Sequence, residues 1–468
     1  MTINFKAEVN KRKDAMMEDL VNLLSINSER DDSQADAQHP FGPGPVKALK
    51  YFLELAERDG YKTRNIDNYA GDFEFGQGDE VLGIFAHLDV VPAGSGWETN
   101  PYEPVIKNGR LYARGSSDDK GPTMACYYAL KIIKDSGLPV SKKVRFVVGT
   151  DEESGWGDMD YYFAHNGLKD PDFGFSPDAE FPIINGEKGN ITEYLHFPGE
   201  NSGSFTLHSF VGGIRENMVP ESATATFTAD ISLEDLQEKL NVFIASYSVS
   251  AELTQKNSLF SLTVIGKSAH GSTPEAGING ATYLAKFLAQ FAFEGGAKVY
   301  LDTAGNKLHN DFTGKNLHVA YTDTKMGALS MNAGVFQFDK ASTDNTIALN
   351  FRYPQGTDAQ TIKTELEKLS GLSKVTLSEH EHKPHYVPID DPLVSTLLSV
   401  YEKQTGLKGY EQIIGGGTFG RLLERGVAYG AMFPGYTNTM HQANEFTEVE
   451  DLYRAVAIYA EAIYELIK

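Results

Sequence analysis

The sequence predicts an α/β protein in which one domain, a mixed and mostly parallel sheet between helices, is split by an inserted α+β domain. Three observations carry this. First, two continuous apolar runs, VLGIFA at 81–86 and VRFVVG at 144–149, flank a helical stretch, the strand–helix–strand order of a parallel sheet. Second, the pattern changes over residues 188–386 to alternating strands and short helices. Third, the chemistry-bearing motifs lie only before and after that stretch. The expected boundaries are 1–187 plus 387–468 for the split domain and 188–386 for the insert.

The elements follow in order. Met16, Met17, Leu20, Leu23 and Leu24 share one face of a helix over 14–24. A polar loop, Ser25–His39, leads into PFGPGP, and a second helix near 46–59 is stopped by Gly60. After the first apolar run, Pro122 at the first helical position opens a helix that reaches Lys134. The second apolar run closes the unit. In the insert, ATATFTADI at 223–231 alternates as a half-buried strand does, a helix over 233–244 follows, and LFSLTVIG at 259–266 is a strand. IALNFRY at 347–353, a helix over 358–370 and KVTLSEH at 374–380 give the same order again, read as a weak internal repeat. Leu452, Val456, Tyr459, Ile463 and Leu466 mark a final amphipathic helix over 450–467.

Composition excludes several classes. The chain has 468 residues, of which 41% are hydrophobic and 11% aromatic, enough for real cores and wrong for a disordered chain. A net charge of -22 argues against nucleic acid and anionic lipid as partners. Cys126 is the single cysteine, so no intrachain disulfide forms, which fits a reducing, cytoplasmic location. Its setting, TMACYYALKII, makes it a buried filler. The start, MTINFKAEVNKRKD, has no apolar core of a secretory signal, and no run is long enough to span a membrane.

Five stretches end in residues that bind hard or borderline cations: HLD at 87–89, DDKG at 118–121, DEES at 151–154, PDAE at 177–180 and MHQANE at 440–445. Imidazoles and carboxylates without a thiol suit a pair of zinc-like ions holding an activated water. At strand spacing His87 and Asp89 share a face, so His87 reads as a ligand and Asp89 as its orienting partner. Asp118 and Asp119 at a helix start would ordinarily be caps; the functional reading gives one of them to both ions. Glu152 and Glu153 point apart in extended backbone, so one is a ligand and the other a general base. Asp178, between Pro177 and apolar residues, is a partly buried carboxylate that needs a cation. His441 alone would pass for a surface histidine.

In this order, HLDVVPAG, GSSDDKGP, TDEES, SPDAE and MHQANE resemble the di-zinc aminoacylase and carboxypeptidase-type metallopeptidases, and most of all their bacterial dipeptidase and carnosinase-like branch. The resemblance covers nearly the whole chain. It implies two Zn2+ per chain, with Mn2+ or Co2+ able to substitute. His87 and Asp178 would hold one ion, Glu153 and His441 the other, and Asp119 would bridge. Glu152 would be the general acid/base, Asp89 the orienter of His87, and a cis peptide would lie at Asp119–Lys120. The insert would be a lid. His270 in GKSAHGSTPEAG would steady the oxyanion. Arg352 and Asn217 would grip a substrate carboxylate, and Gly415, Gly416 and Thr418 in GGGT would cradle the substrate backbone. The implied reaction is hydrolysis of dipeptides with free termini, β-alanyl dipeptides among them. The alternatives are an N-acyl amino acid deacylase of the same build and a metal-binding protein without catalysis. The long insert, holding its motif twice, would stand in for a partner's lid, so a monomer would suffice.

Overall fold

The computed structural model describes residues 3–201 and 203–468. The chain divides into two compact units at 186/187 and 385/386, against the 187/188 and 386/387 expected. No helix among the described residues is long and apolar enough to cross a membrane.

In the first unit a six-stranded sheet has four parallel strands and two antiparallel ones, the mixed and mostly parallel sheet expected. Strands Val81–His87, Lys143–Gly149, Phe173–Ser176 and Gly426–Ala428 are parallel, and an antiparallel hairpin, Thr63–Ile66 with Ala70–Gly76, is added at one edge. The apolar runs are continuous because both faces are covered. Leu82, Ile84, Val144, Phe146 and Val148 join the main core with helices Lys13–Leu24, Pro43–Arg58, Lys120–Asp135 and Val449–Ile467. Phe85 and Val147 face the other way, onto Met159, Tyr162 and Phe419. Each such side chain contributes about 1.5–3 kcal/mol through burial.

The helix expected to open at Pro122 opens earlier, at Lys120, with Pro122 third in it. A proline is tolerated there because the first N–H groups of a helix have no intrahelical partner. Gly121 is required by the turn: a Cβ on it would stand 2.1 Å from the Ser116 carbonyl oxygen.

The second unit is a two-layer α+β arrangement. Its eight antiparallel strands lie in the order Ser250–Lys256, Leu259–Ile265, Ser222–Ala229, Phe205–Gly212, Ser330–Asp339, Asn345–Tyr353, Gly189–Phe197, Lys374–Leu377. Helices Leu233–Ile244, Gly280–Leu288, Gly295–Asp302 and Ala359–Leu366 supply apolar side chains to its core. The opposite face carries hydroxyl pairs, Ser209 with Thr226 (2.6 Å) and Thr224 with Thr263 (2.8 Å).

Glu193 is the anomaly of this unit. It sits between buried Ile191 and Leu195, fully buried, and neither carboxylate oxygen has a hydrogen-bond partner. Burial pushes its carboxyl up to about 8, against the pull of Lys363. A carboxyl raised in the folded state favours folding below its ordinary value and loses that contribution as pH rises through the raised one. Thermal unfolding should therefore show wild type losing stability relative to Glu193→Gln between about pH 5 and about pH 9, at about 2–4 °C of Tm per kcal/mol in a chain unit of this size. Parallel pH profiles for the two proteins would contradict it.

Candidate active site

The site lies at the carboxyl ends of the parallel strands, where open α/β sheets place their chemistry. Strands Val81–His87 and Lys143–Gly149 run in register, His87 opposite Gly149. His87 and the turn at 150–153 therefore leave the sheet side by side, and Asp178 follows two residues after the strand that ends at Ser176. Asp118 comes from the loop before helix Lys120–Asp135, and His441 from the loop before strand Phe446–Glu448.

Asp118 stands at the centre. Its Oδ1 lies 3.1 Å from His87 Nε2, and its Oδ2 lies 2.9 Å from His441 Nε2. Asp178 Oδ2 is 3.6 Å from His87 Nε2, and Glu153 Oε2 is 3.1 Å from His441 Nε2. Two sets with ligand atoms within 4.8 Å of one another result, His87 with Asp118 and Glu153, and His87 with Glu152 and Asp178. Both sets share His87; Asp118 belongs to the first, and its other oxygen meets His441.

Asp119, expected as the bridge, belongs to neither set. Its Oδ2 accepts from the His87 N–H (3.1 Å) and from the Thr123 hydroxyl (3.0 Å), while its Oδ1 is buried without a partner. It occupies the N-cap position of the helix without making a side-chain cap. The cis peptide expected at Asp119–Lys120 lies instead at Asp118–Asp119.

The backbone that carries the two glutamates is held by acids. Asp89 Oδ1 and Oδ2 accept from the N–H groups of Glu152 and Glu153, each at 3.1 Å. Asp158 Oδ2 accepts from Thr150 (2.6 Å) and Asp151 (2.9 Å), so two carboxylates take four consecutive N–H groups. Gly149 makes room: a Cβ there would stand 2.1 Å from Asp158 Oδ2. Asp89 also meets His87. The Asp89 carbonyl oxygen is 3.1 Å from His87 Nδ1 and its carboxylate 3.4 Å. A carbonyl only accepts, so Nδ1 carries a proton, and the imidazole in its neutral form would offer Nε2 to the cluster.

The electrostatics are those of a charge-crowded pocket. Burial, then the neighbouring Asp118 charge, pushes Glu153 up to about 7 and raises Asp178. Burial raises Glu152 strongly. Burial works against charge on His87 and His441, yet their acid partners raise both, His441 to about 11. Burial also opposes charge on Asp118, but the two imidazoles hold it below the usual carboxylate range. So many buried acids beside two imidazoles need positive charge. Imidazole and carboxylate donors without thiol fit cations of the zinc class.

The other expected residues fall into two places. Thr418 is buried in the first unit, where its hydroxyl accepts from the Gly420 N–H (3.0 Å) and caps a short turn. Gly415 and Gly416 precede it, and Phe419 packs 6.3 Å from the His87 ring. His270, Asn217 and Arg352 belong to the second unit. His270 and Asn217 are neighbours there, both exposed: Gly271 N–H donates to the Asn217 carbonyl (2.7 Å), and His270 Nδ1 lies 2.7 Å from the Ser272 hydroxyl. Arg352 is 6% exposed and its Nε donates to Asn350 (3.1 Å). Asp158, Arg114 and Glu445 lie outside the residues expected at the site. Glu445 had a signal, since it closes the MHQANE motif.

The sequence profile described as peptidase family M20/M25/M40 matches residues 83–465. A Beta-Ala-Xaa dipeptidase of Lactobacillus delbrueckii subsp. lactis is 45% identical over 471 residues, spanning 100% of this chain and 99% of the relative. A putative dipeptidase of Bacillus subtilis (strain 168) is 40% identical over 470 residues, 100% of both chains. Among solved structures, human carnosine dipeptidase 1 shares the fold at a TM-score of 0.58 and 14% identity, covering 99% of this chain and 98% of that one. The resemblance read from the five motifs is borne out at the level of the family. The chain belongs to peptidase family M20/M25/M40.

Proposed function

We propose that this protein is a two-metal dipeptidase that hydrolyses dipeptides with free termini, β-alanyl dipeptides among them. The observation that carries the reading is Asp118, whose two oxygens each face a different imidazole, with Asp178 beside one and Glu153 beside the other. The 45% identity to a Beta-Ala-Xaa dipeptidase over the full chain supports the substrate class.

His87 and Asp178 would hold one ion, His441 and Glu153 the other, and Asp118 would serve both in place of the expected Asp119. Bound Zn2+, or Mn2+ or Co2+ in its stead, polarises a carbonyl and makes a water acidic. Glu152 takes the proton of the attacking water and delivers it to the leaving amine. Its own backbone N–H is fixed on Asp89, so the base is held by the same residue that sets the His87 tautomer. His270 donates to the oxygen that gains charge, and Arg352 and Asn217 take the substrate carboxylate. Gly415, Gly416 and Thr418 border the substrate backbone. The protein acts as a monomer in the cytoplasm. The long insert, with its motif read twice in the sequence, would stand in for a partner's lid.

Three results are expected. Purified protein supplied with Zn2+ or Mn2+ cleaves β-alanyl and ordinary dipeptides in preference to N-acetyl amino acids, and Glu152→Ala lowers kcat by about 10²–10⁴-fold while both ions stay bound. A preference for acetylated substrates, or near-normal turnover by the variant, would count against the assignment. Elemental analysis of Asp118→Asn finds the ions lost, and of Asp119→Asn finds them retained; the reverse pattern would restore Asp119 as the bridge. Light scattering gives a monomer that is active, and an obligate dimer would refute self-sufficiency.

A further inference from the structure

Three loops of the catalytic unit converge on one buried ion pair. Arg114 is 1% exposed and Glu445 is 0% exposed. Arg114 Nη1 donates to Glu445 Oε2 at 2.6 Å. The other Glu445 oxygen accepts from the Ser117 N–H (2.9 Å) and the Ser117 hydroxyl (3.2 Å). Arg114 Nη2 donates to the carbonyls of Pro92 (3.3 Å) and Ala93 (3.4 Å), and the guanidinium lies 5.3 Å from the Trp97 ring centroid. The local sheet sets this up. Tyr112 is paired with Phe446, and the Ala113 N–H donates to the Glu445 carbonyl at 3.2 Å, so the two side chains start from adjacent backbone.

Each arm of the pair ends beside the cluster. Ser117 immediately precedes Asp118, Glu445 follows His441 by four residues, and Pro92 and Ala93 follow the His87–Asp89 segment. Glu445 is not itself offered to the cluster, because both its oxygens are engaged by Arg114 and Ser117. Nor is stability a sufficient reason for the pair. Burying two charges costs about what their attraction returns, and Arg114 Nε is left without a partner. What a planar guanidinium fork adds is direction: its bonds close only when the loops stand at one spacing.

We propose that the Arg114–Glu445 pair is a positioning device that sets the spacing of Asp118 from His441, and thereby the affinity for the ion those two residues share. The inference rests on the two-metal reading above. Titration calorimetry of metal-stripped wild type, Glu445→Gln and Glu445→Asp with Mn2+, with circular dichroism on the same samples, tests it. Glu445→Asp keeps the charge pair but shortens the arm, and so guards against misfolding of the first variant. Wild type should bind two ions. Both variants should keep the fold and one ion at wild-type affinity, while the second binds about 10–100-fold more weakly. Raised Mn2+ should restore kcat with little change in KM. A purely structural pair would lower Tm and leave the affinity of the folded fraction unchanged, and that result overturns the proposal alone. A wild type that binds no ion pair overturns the two-metal reading, and this inference with it.

Discussion

Asp118 sits between two imidazoles, and the surrounding architecture is organised around that placement. Each of its oxygens has its own histidine, at 3.1 Å and 2.9 Å, and each histidine has a second acid close by. Acids packed this closely repel one another and resist ionisation when buried. The pocket is therefore a poor resting place for carboxylates alone and a good one for divalent cations. That tension explains the raised Glu152, Glu153 and Asp178 carboxyls in the same terms as the donor set.

Holding such a pocket together requires restraint from outside it, and that restraint is built from backbone N–H groups. Asp89 and Asp158 between them receive the N–H groups of residues 150–153, which fixes the turn that carries Glu152 and Glu153. Glu445 receives the N–H of Ser117 and so fixes the approach to Asp118. The parallel sheet supplies the coarse placement, by register; these acids supply the fine placement, by hydrogen bonds. Asp89, Asp158 and Glu445 thus hold the backbone on which the cluster is built.

Much of this was legible in the chain, for reasons that differ by element. The strands at 81–87 and 143–149 are buried on both faces, so they read as unbroken apolar runs. The helix at 233–244 carries its own start signal in Ser232, whose side chain accepts from Asp235. Strands Gly189–Phe197, Phe205–Gly212 and Ser330–Asp339 were not singled out. The first carries Thr192, Glu193 and His196 at buried positions, and the other two contain irregularities at Leu207/Ser209 and Ala333/Val335 that break the two-residue period. At the site, the five motifs were visible, but the choice between Asp118 and Asp119 was not. Adjacent residues point in different directions, and only the path of the loop into the helix decides which one enters the pocket.

The chain belongs to peptidase family M20/M25/M40, and the proposed two-metal chemistry depends most of all on the shared carboxylate. Diffraction at the zinc absorption edge from crystals grown with Zn2+ tests it most directly. The account predicts two anomalous peaks, each within about 2.0–2.2 Å of a different Asp118 oxygen, one with His87 and Asp178 and the other with His441 and Glu153. A single peak, or a pair bridged by Asp119 with Asp118 unbound, would contradict it.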